Sequence, residues 1–156
     1  MIAVPGVNVS RFNVGVDPKS FERLCTRITS GSSTSIVLVI YRPGSVSVTP
    51  VFFDDLSGTL ERVVGYNEPI HIVGDLNVRL DRDNDSNARQ LTDLFVAFGF
   101  VVRNAQPTSV LGELLDVVAT RRDLPSACIA TYEAGLSDHQ LLQSSTASMV
   151  GTCVEA

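Results

Sequence analysis

The sequence has few cysteines, and it has no run of apolar residues long enough to cross a membrane. A membrane-spanning helix needs about 20 consecutive apolar residues, and no stretch of the 156 residues approaches that length. The three cysteines are odd in number and widely spaced, which favours a reducing compartment over a disulfide framework. The N-terminus also lacks a basic leader and a sustained apolar segment. We therefore expect no signal peptide and an intracellular protein, either nuclear or cytoplasmic.

A surplus of basic residues is also missing. The chain has 12 Lys and Arg against 17 Asp and Glu, which gives a net charge of −5. Proteins that bind nucleic acid by counterion release normally have a basic face. The acidic balance therefore favours a small or metal-bridged substrate over tight DNA binding. Clustered carboxylates with few compensating bases also suit a site that recruits a divalent cation.

The apolar pattern predicts one α/β domain without internal repeats. Residues 36–40 are apolar throughout, as expected for a strand at the centre of a sheet covered on both faces. Thr49-Pro50 predicts the start of a helix, and Gly99 predicts the end of a second one. Other strands are predicted over residues 21–28, 70–73, 100–102, 114–119 and 127–131, with an edge strand in the first 20 residues.

Polar residues follow the predicted strand at 70–73. Gly74 is expected to let the backbone turn sharply as the strand ends. Asp75 and Asn77 then lie at the carboxyl end of a strand, where open α/β sheets usually gather their polar chemistry. The alternative is an ordinary surface turn, because Gly, Asp and Asn are the commonest turn formers.

A carboxylate and a histidine form a second candidate pair. Asp116 lies within an otherwise apolar strand, so it either faces water on a half-exposed strand or orients a histidine. Only two histidines exist. His71 lies inside the apolar strand at 70–73, which leaves His139 as the partner. Adjacent residues of Ser137-Asp138-His139 point to opposite sides of an extended chain and cannot form a catalytic triad. A polar turn is the alternative for this segment.

Four elements, taken together and in order, resemble the endonuclease/exonuclease/phosphatase family, whose fold is that of deoxyribonuclease I. The elements are Tyr41-Arg42-Pro43, Gly74-Asp75-Leu76-Asn77, Leu115-Asp116-Val117-Val118 and Ser137-Asp138-His139, and Pro107-Thr108 also matches. The Tyr-Arg-Pro form and the spacing are most similar to endonuclease domains of non-LTR (LINE-type) retrotransposons. The resemblance covers roughly residues 20–142. It implies a four-layer α/β sandwich, present here in part.

The resemblance implies hydrolysis of a phosphodiester bond with a divalent metal. By analogy, Asp75 orients or deprotonates the attacking water and Asn77 holds a phosphate oxygen. His139, positioned by Asp116, stabilises the charge that develops on the phosphoryl group. Tyr41 donates a hydrogen bond to the phosphate.

The same analogy implies the cofactor and the remaining site residues. Mg²⁺ (or Mn²⁺) is the expected cofactor, and Asp138 is its expected ligand. Thr108 and Ser137 are expected to bind the substrate together with Asn77. DNA is the expected substrate, and a reverse-transcriptase region of a longer protein is an expected partner.

The sequence departs from the family at its beginning. Family members carry an asparagine after their first strand and a glutamate on the second, and neither motif is found here; Glu22 is in the wrong context to replace the glutamate. We therefore expect residues 1–143 to be the C-terminal part of such a domain, residues 144–156 to be a weakly ordered tail, and nuclease activity of this chain alone to be weak or absent. The missing N-terminal half is then another expected partner. A non-catalytic remnant or binding module, and a phosphatase acting on a small phosphorylated molecule, remain alternatives.

Overall fold

The computed structural model describes residues 5–82, 84–109, 111–125, 128–132 and 141–145. Within these ranges the chain forms two helices and eight strands, which confirms the predicted α/β class. In chain order they are β1 (Val7–Arg11), β2 (Glu22–Ser30), β3 (Ser33–Tyr41), α1 (Pro50–Val63), β4 (Ile70–Asp75), α2 (Ser86–Ala97), β5 (Phe100–Val102), β6 (Asp116–Arg121), β7 (Cys128–Tyr132) and β8 (Leu141–Ser145). Strand β8 crosses the expected boundary of the tail at residue 143.

Six of the described strands form one mixed sheet, which we call the main sheet. Its order is β1-β2-β3-β4-β6-β5, and β7 pairs with β8 in a separate sheet. Strands β3 and β4 are parallel and are connected through α1, whereas the other neighbours in the main sheet are antiparallel. Strand β1 lies at one edge, as the sequence predicts. Because of these strand directions, the C-terminal ends of β3 and β4 and the N-terminal ends of β2 and β6 lie at the same end of the sheet.

Both helices pack on one face of the main sheet. Ile36, Leu38 and Ile40 of β3 are at most 1% exposed and share one apolar core with the buried faces of α1 and α2. Val37 and Val39 point to the other face and are only partly buried. The prediction that residues 36–40 are covered on both faces is thus met in full on one face only, because both described helices lie on that face.

The helix boundaries follow the local sequence signals. Helix α1 begins at Pro50, as the Thr49-Pro50 pair predicts. The side chain of Asp85 accepts hydrogen bonds from two backbone N–H groups in the first turn of α2. Gly99, with φ of +78°, follows the end of α2. Neither helix in the described part of the chain has the length and apolar character of a membrane-spanning segment.

Gly74 lies within β4, and the strand continues to Asp75 instead of turning at the glycine. Its φ is +143°, and a Cβ atom at this position would lie 1.8 Å from the carbonyl oxygen of Ile40. The glycine therefore allows close approach of β3 and β4. The turn follows one residue later, in the segment Leu76–Asn77 that leaves the strand.

Candidate active site

Four polar residues lie side by side where β2, β3, β4 and β6 meet at one end of the main sheet. Tyr41 pairs with Glu22 of β2 on one side and with Asp75 of β4 on the other. Asp75 in turn pairs with Asp116 of β6. Directly opposite residues on neighbouring strands project from the same face of a sheet. We call this row the site edge; it unites three of the predicted catalytic residues.

Asp75 and Asn77 form a small hydrogen-bonded unit at the site edge. The backbone N–H of Asn77 donates to Oδ1 of Asp75 at 2.9 Å, and the carboxamide Nδ2 of Asn77 donates to Oδ2 at 2.8 Å. The same Nδ2 donates to the backbone carbonyl of Arg42 at 2.8 Å. Asn77 has φ of +50°, a conformation that asparagine tolerates better than most residues. The segment is therefore a turn, and it also places both predicted side chains at the strand end.

The backbone of Asp116 is held on both sides by buried polar side chains. Thr108 Oγ1 accepts a hydrogen bond from the Asp116 N–H at 3.0 Å. Asn104 Nδ2 donates to the Asp116 carbonyl at 2.8 Å, and Asn104 Oδ1 accepts from the Val118 N–H at 2.7 Å. The Asn104 carboxamide thus bonds to β6 as the peptide group of a neighbouring strand would. These contacts fix the position of Asp116 opposite Asp75.

Thr108 takes a different place from the one expected of a substrate-binding residue. Its side chain has no exposed surface, and its hydroxyl also accepts from the Leu115 N–H at 3.1 Å. In this position Thr108 contacts the site edge through the backbone of Asp116. Asn104 was missed by sequence reasoning, because an asparagine after a short strand resembles an ordinary loop residue. Its only local signal is its place between β5 and Pro107-Thr108.

The two outer positions of the site edge differ in exposure and distance. Tyr41 is 48% exposed, so its phenol is accessible to a ligand. Glu22 is exposed on the far side of Tyr41. Its strand is two strands away from that of Asp75, which corresponds to roughly 10 Å. The structure therefore places Glu22 in the row, beyond direct reach of the Asp75 carboxylate.

Oxygen ligands of the kind that Mg²⁺ prefers are present, but the described residues do not complete a site for it. No group of three or more His, Cys, Asp or Glu side chains in the described ranges is arranged to hold a metal ion. Both carboxylate oxygens of Asp75 already accept hydrogen bonds from Asn77. The predicted ligand Asp138, with Ser137 and His139, lies outside the described residues, so the roles of these three remain predictions.

Burial affects two ionisable groups near the site. Burial lowers the pKa of the Arg42 guanidinium, and the negative charge of Asp75 partly offsets this effect. Burial also lowers the pKa of His71, which pairs with Val37 and Thr120 in the interior of the sheet. His71 precedes Asp75 by four residues, or about 13 Å along the strand. It is therefore separate from the site edge.

Solved structures with the same fold include an endonuclease domain. The endonuclease domain of TRAS1, a telomere-specific non-LTR retrotransposon, is 15% identical with a TM-score of 0.62; the match covers 89% of this chain and 77% of that domain. An endonuclease/exonuclease/phosphatase family protein from Leptotrichia buccalis is 10% identical with a TM-score of 0.52, over 92% of this chain and 62% of that one. No family model and no curated protein sequence matches the chain.

The cytolethal distending toxin of Haemophilus ducreyi is also similar, with 16% identity and a TM-score of 0.50 over 93% of this chain and 59% of the toxin chain. The present chain thus spans less than two thirds of the bacterial proteins and about three quarters of the retrotransposon domain. At these identities the likeness concerns the fold. The predicted deoxyribonuclease I-like α/β fold is confirmed.

Proposed function

We propose that this chain is a metal-dependent endonuclease domain, of the type found in non-LTR retrotransposon proteins, that hydrolyses phosphodiester bonds in DNA. The observation that carries the proposal is the site edge. Tyr41, Asp75 and Asp116 come from three different strands and are in register, and Asn77 is bonded to Asp75. The fold shared with the TRAS1 endonuclease domain supports the same conclusion.

The groups at the site edge suit in-line attack of water on a phosphodiester. The Asp75 carboxylate can accept a proton from water or orient it. The exposed Tyr41 hydroxyl can donate a hydrogen bond to a phosphate oxygen. Asn77 is placed to orient the Asp75 carboxylate and to present its carboxamide beside it. Together these groups supply a base, Asp75, and a neutral donor, Tyr41, on adjacent strands.

Two carboxylates in adjacent register repel an anionic phosphate, so the reaction needs positive charge from elsewhere. We propose Mg²⁺ or Mn²⁺ as this source, with Asp138 among its ligands. We also propose that His139, oriented by Asp116, adds a charged donor to the phosphoryl group. DNA is the proposed substrate, and a reverse-transcriptase region of a longer protein is the proposed partner.

The test is nicking of supercoiled plasmid in magnesium buffer, with EDTA replacing magnesium in a parallel reaction. We expect weak magnesium-dependent nicking, because this sequence has neither the Asn nor the Glu motif of the family, and a further fall of at least about 100-fold in Asp75→Asn and in His139→Ala. Asp93→Asn, which changes an exposed carboxylate of α2, serves as the matched control and should nick like the wild type. Urea denaturation of each variant verifies that it is folded.

Two outcomes would favour the alternatives. A cooperatively folded wild-type sample that nicks nothing in magnesium or manganese would support a non-catalytic remnant or binding module. Magnesium-dependent release of phosphate from a small phosphomonoester, without plasmid nicking, would support a phosphatase. Phosphomonoester hydrolysis is therefore measured on the same samples.

A further inference from the structure

Arg42 is a buried residue whose hydrogen bonds connect the two loops that follow β3 and β4, next to the site edge. The residue is only 3% exposed. Its Nε donates to the carbonyl of Leu76 at 2.6 Å, and Nη2 donates to the carbonyl of Asn77 at 2.6 Å. Its Nη1 donates to the carbonyls of Pro43 and Val46. The guanidinium therefore joins the loop after β4 to the loop after β3.

The main chain of Arg42 is part of the same connection. Its N–H donates to the carbonyl of Asp75 at 2.9 Å, and its carbonyl accepts from Asn77 Nδ2. Arg42 thereby holds Asn77 at two points, the backbone carbonyl of Asn77 and the carboxamide of Asn77. On the other side, a Cβ atom at Gly44 would lie 2.7 Å from Asn77 Oδ1, so the loop after β3 passes directly over the carboxamide.

We propose that Arg42 is a positioning residue that fixes the backbone and the carboxamide of Asn77, and that the contribution of Asn77 to catalysis depends on it. This inference rests on the proposed function for its catalytic part. Burying a guanidinium costs free energy unless its donors are satisfied. Within the described residues, each hydrogen bond that the Arg42 side chain donates goes to a backbone carbonyl of these two loops. These hydrogen bonds therefore offset the cost of burying Arg42 only while the two loops keep this arrangement.

A lysine cannot replace this contact set. The guanidinium is a planar fork with five donors, whereas an ammonium group donates from a single point. It can reach carbonyls of one loop but cannot span both. Arg42→Lys keeps the charge and most of the alkyl stem, and it replaces the guanidinium, whose carbon lies 5.7 Å from the centroid of the Phe52 ring, by an ammonium group. The substitution therefore tests the fork geometry more than the charge or the packing.

The chain offers a matched control in Arg103. Its Nε donates to Thr120 Oγ1 at 2.8 Å, and its Nη2 donates to the carbonyls of Arg121 and Leu124 at 3.2 and 3.1 Å. Arg103→Lys removes a comparable fork at the far end of β6. A purely structural role for Arg42 predicts that both substitutions have similar effects.

The first measurement follows the side-chain NH₂ resonances of Asn77 by NMR, assigned by their loss in Asn77→Ala. We expect these resonances to shift in Arg42→Lys and their hydrogen exchange to become about tenfold faster or more, with no change in Arg103→Lys. Unchanged Asn77 resonances in folded Arg42→Lys, or equal changes in Arg103→Lys, would overturn the proposal. This measurement does not depend on nuclease activity, so it separates a failure of this inference from a failure of the proposed function.

The second measurement is a double-mutant cycle on cleavage of a DNA duplex. We expect Arg42→Lys to lower kcat by about 10- to 100-fold with little change in KM, and Arg103→Lys to retain wild-type kcat. Adding Arg42→Lys to Asn77→Ala should cause no further loss, because both act through the same side chain. Additive losses would contradict the proposal.

If Arg42→Lys does not fold, hydrogen exchange is measured in the wild type instead. We expect the Arg42 Nε–H and the Asn77 NH₂ to exchange through the same opening and therefore to show equal protection. Unequal protection would overturn the proposal.

Discussion

Gly74 is the residue that sets how closely β3 and β4 approach at the site edge. It has φ of +143°, which L side chains rarely adopt. The Ile40 carbonyl occupies the space where a Cβ atom would lie. A side chain at this position would have to push the two strands apart. Because Asp75 is the next residue, the geometry of the site edge depends on the absence of a side chain at position 74.

We predict that Gly74→Ala lowers the free energy of unfolding by at least about 3 kcal/mol, because overpacking and backbone strain add. Gly58→Ala is the matched control: Gly58 lies in α1, and a Cβ atom there meets no atom within 4 Å. That substitution should stabilise the protein by about 0.5–1 kcal/mol. Urea denaturation measures both. Equal stability of Gly74→Ala and the wild type would show that β3 and β4 can separate without cost.

The acidic and amide side chains at the site edge could be predicted from the sequence. The residues that hold them in place by hydrogen bonds could not. Asp75, Asn77 and Asp116 follow or begin apolar runs, so local sequence indicates them. Besides the nearby Pro43 and Val46 carbonyls that Arg42 contacts, Arg42 and Asn104 bond to backbone groups that lie 12 to 35 residues away in sequence. No local pattern encodes such a contact, because any backbone carbonyl can accept it. The burial of Thr108 likewise depends on the return of the chain at β6.

At the level of elements, a charged cluster connects the segment after β4 to the segment before β6. Asp81 Oδ2 accepts from Arg79 Nη2 at 2.7 Å, and Asp81 Oδ1 accepts from the Leu114 N–H at 3.3 Å. Arg79 also forms an ion pair with Glu113. The Arg79 hydrogen bond is the main reason that the pKa of Asp81 falls to about 2. The contacts of Asp81 therefore contribute most to this connection while Asp81 is ionised.

We predict that this contribution disappears in acid. A carboxylate with a lowered pKa in the folded protein stabilises it fully above its unfolded pKa, and this stabilisation is lost as the pH falls through the folded pKa. The difference in free energy of unfolding between the wild type and Asp81→Asn should be constant above about pH 5 and shrink as the pH approaches about 2. Chemical denaturation at a series of pH values measures it, with Asp93→Asn as control. A difference that stays constant down to the lowest pH would rule out this role.

The positions of most elements were predictable, and their ends depend on tertiary partners. The apolar run at 36–40 and the Thr49-Pro50 pair indicate β3 and the start of α1 by local signals alone. The pattern also predicts a strand from Leu114, whereas β6 begins at Asp116. The Leu114 and Leu115 carbonyls accept from the segment after β4 instead of from a neighbouring strand. Strand order was not predictable, because it depends on pairing between distant segments.

At the scale of the whole molecule, the net charge of −5 bears on how DNA would bind. A protein with this charge gains little from long-range attraction to a polyanion. Binding to DNA would then depend on local cations near the site edge and on a bound divalent metal. For the nuclease activity proposed above, the charge therefore argues for modest affinity of this chain alone for DNA.

The core is shared by the main sheet and both helices, and Cys25 reports on whether it opens as one unit. Cys25 is 3% exposed, and burial raises the pKa of its thiol to about 11. Near pH 8 only roughly one thiol in a thousand would be ionised in the folded state. Reaction with an alkylating reagent must therefore pass through an open form. Two openings are possible: global unfolding, or local separation of the β1–β2 corner beside a cavity of about 370 Å³ that Cys25 helps to line.

We predict that global unfolding controls this reaction, because Cys25 belongs to the same apolar core as β3 and α1. In a variant with Cys128→Ser and Cys153→Ser, the opening free energy from alkylation of Cys25 should equal the free energy of unfolding from urea denaturation. An opening free energy lower by more than about 2 kcal/mol would mean that the corner opens on its own. Strands β1 and β2 would then form a separate, weaker unit, and the cooperative core would begin at β3.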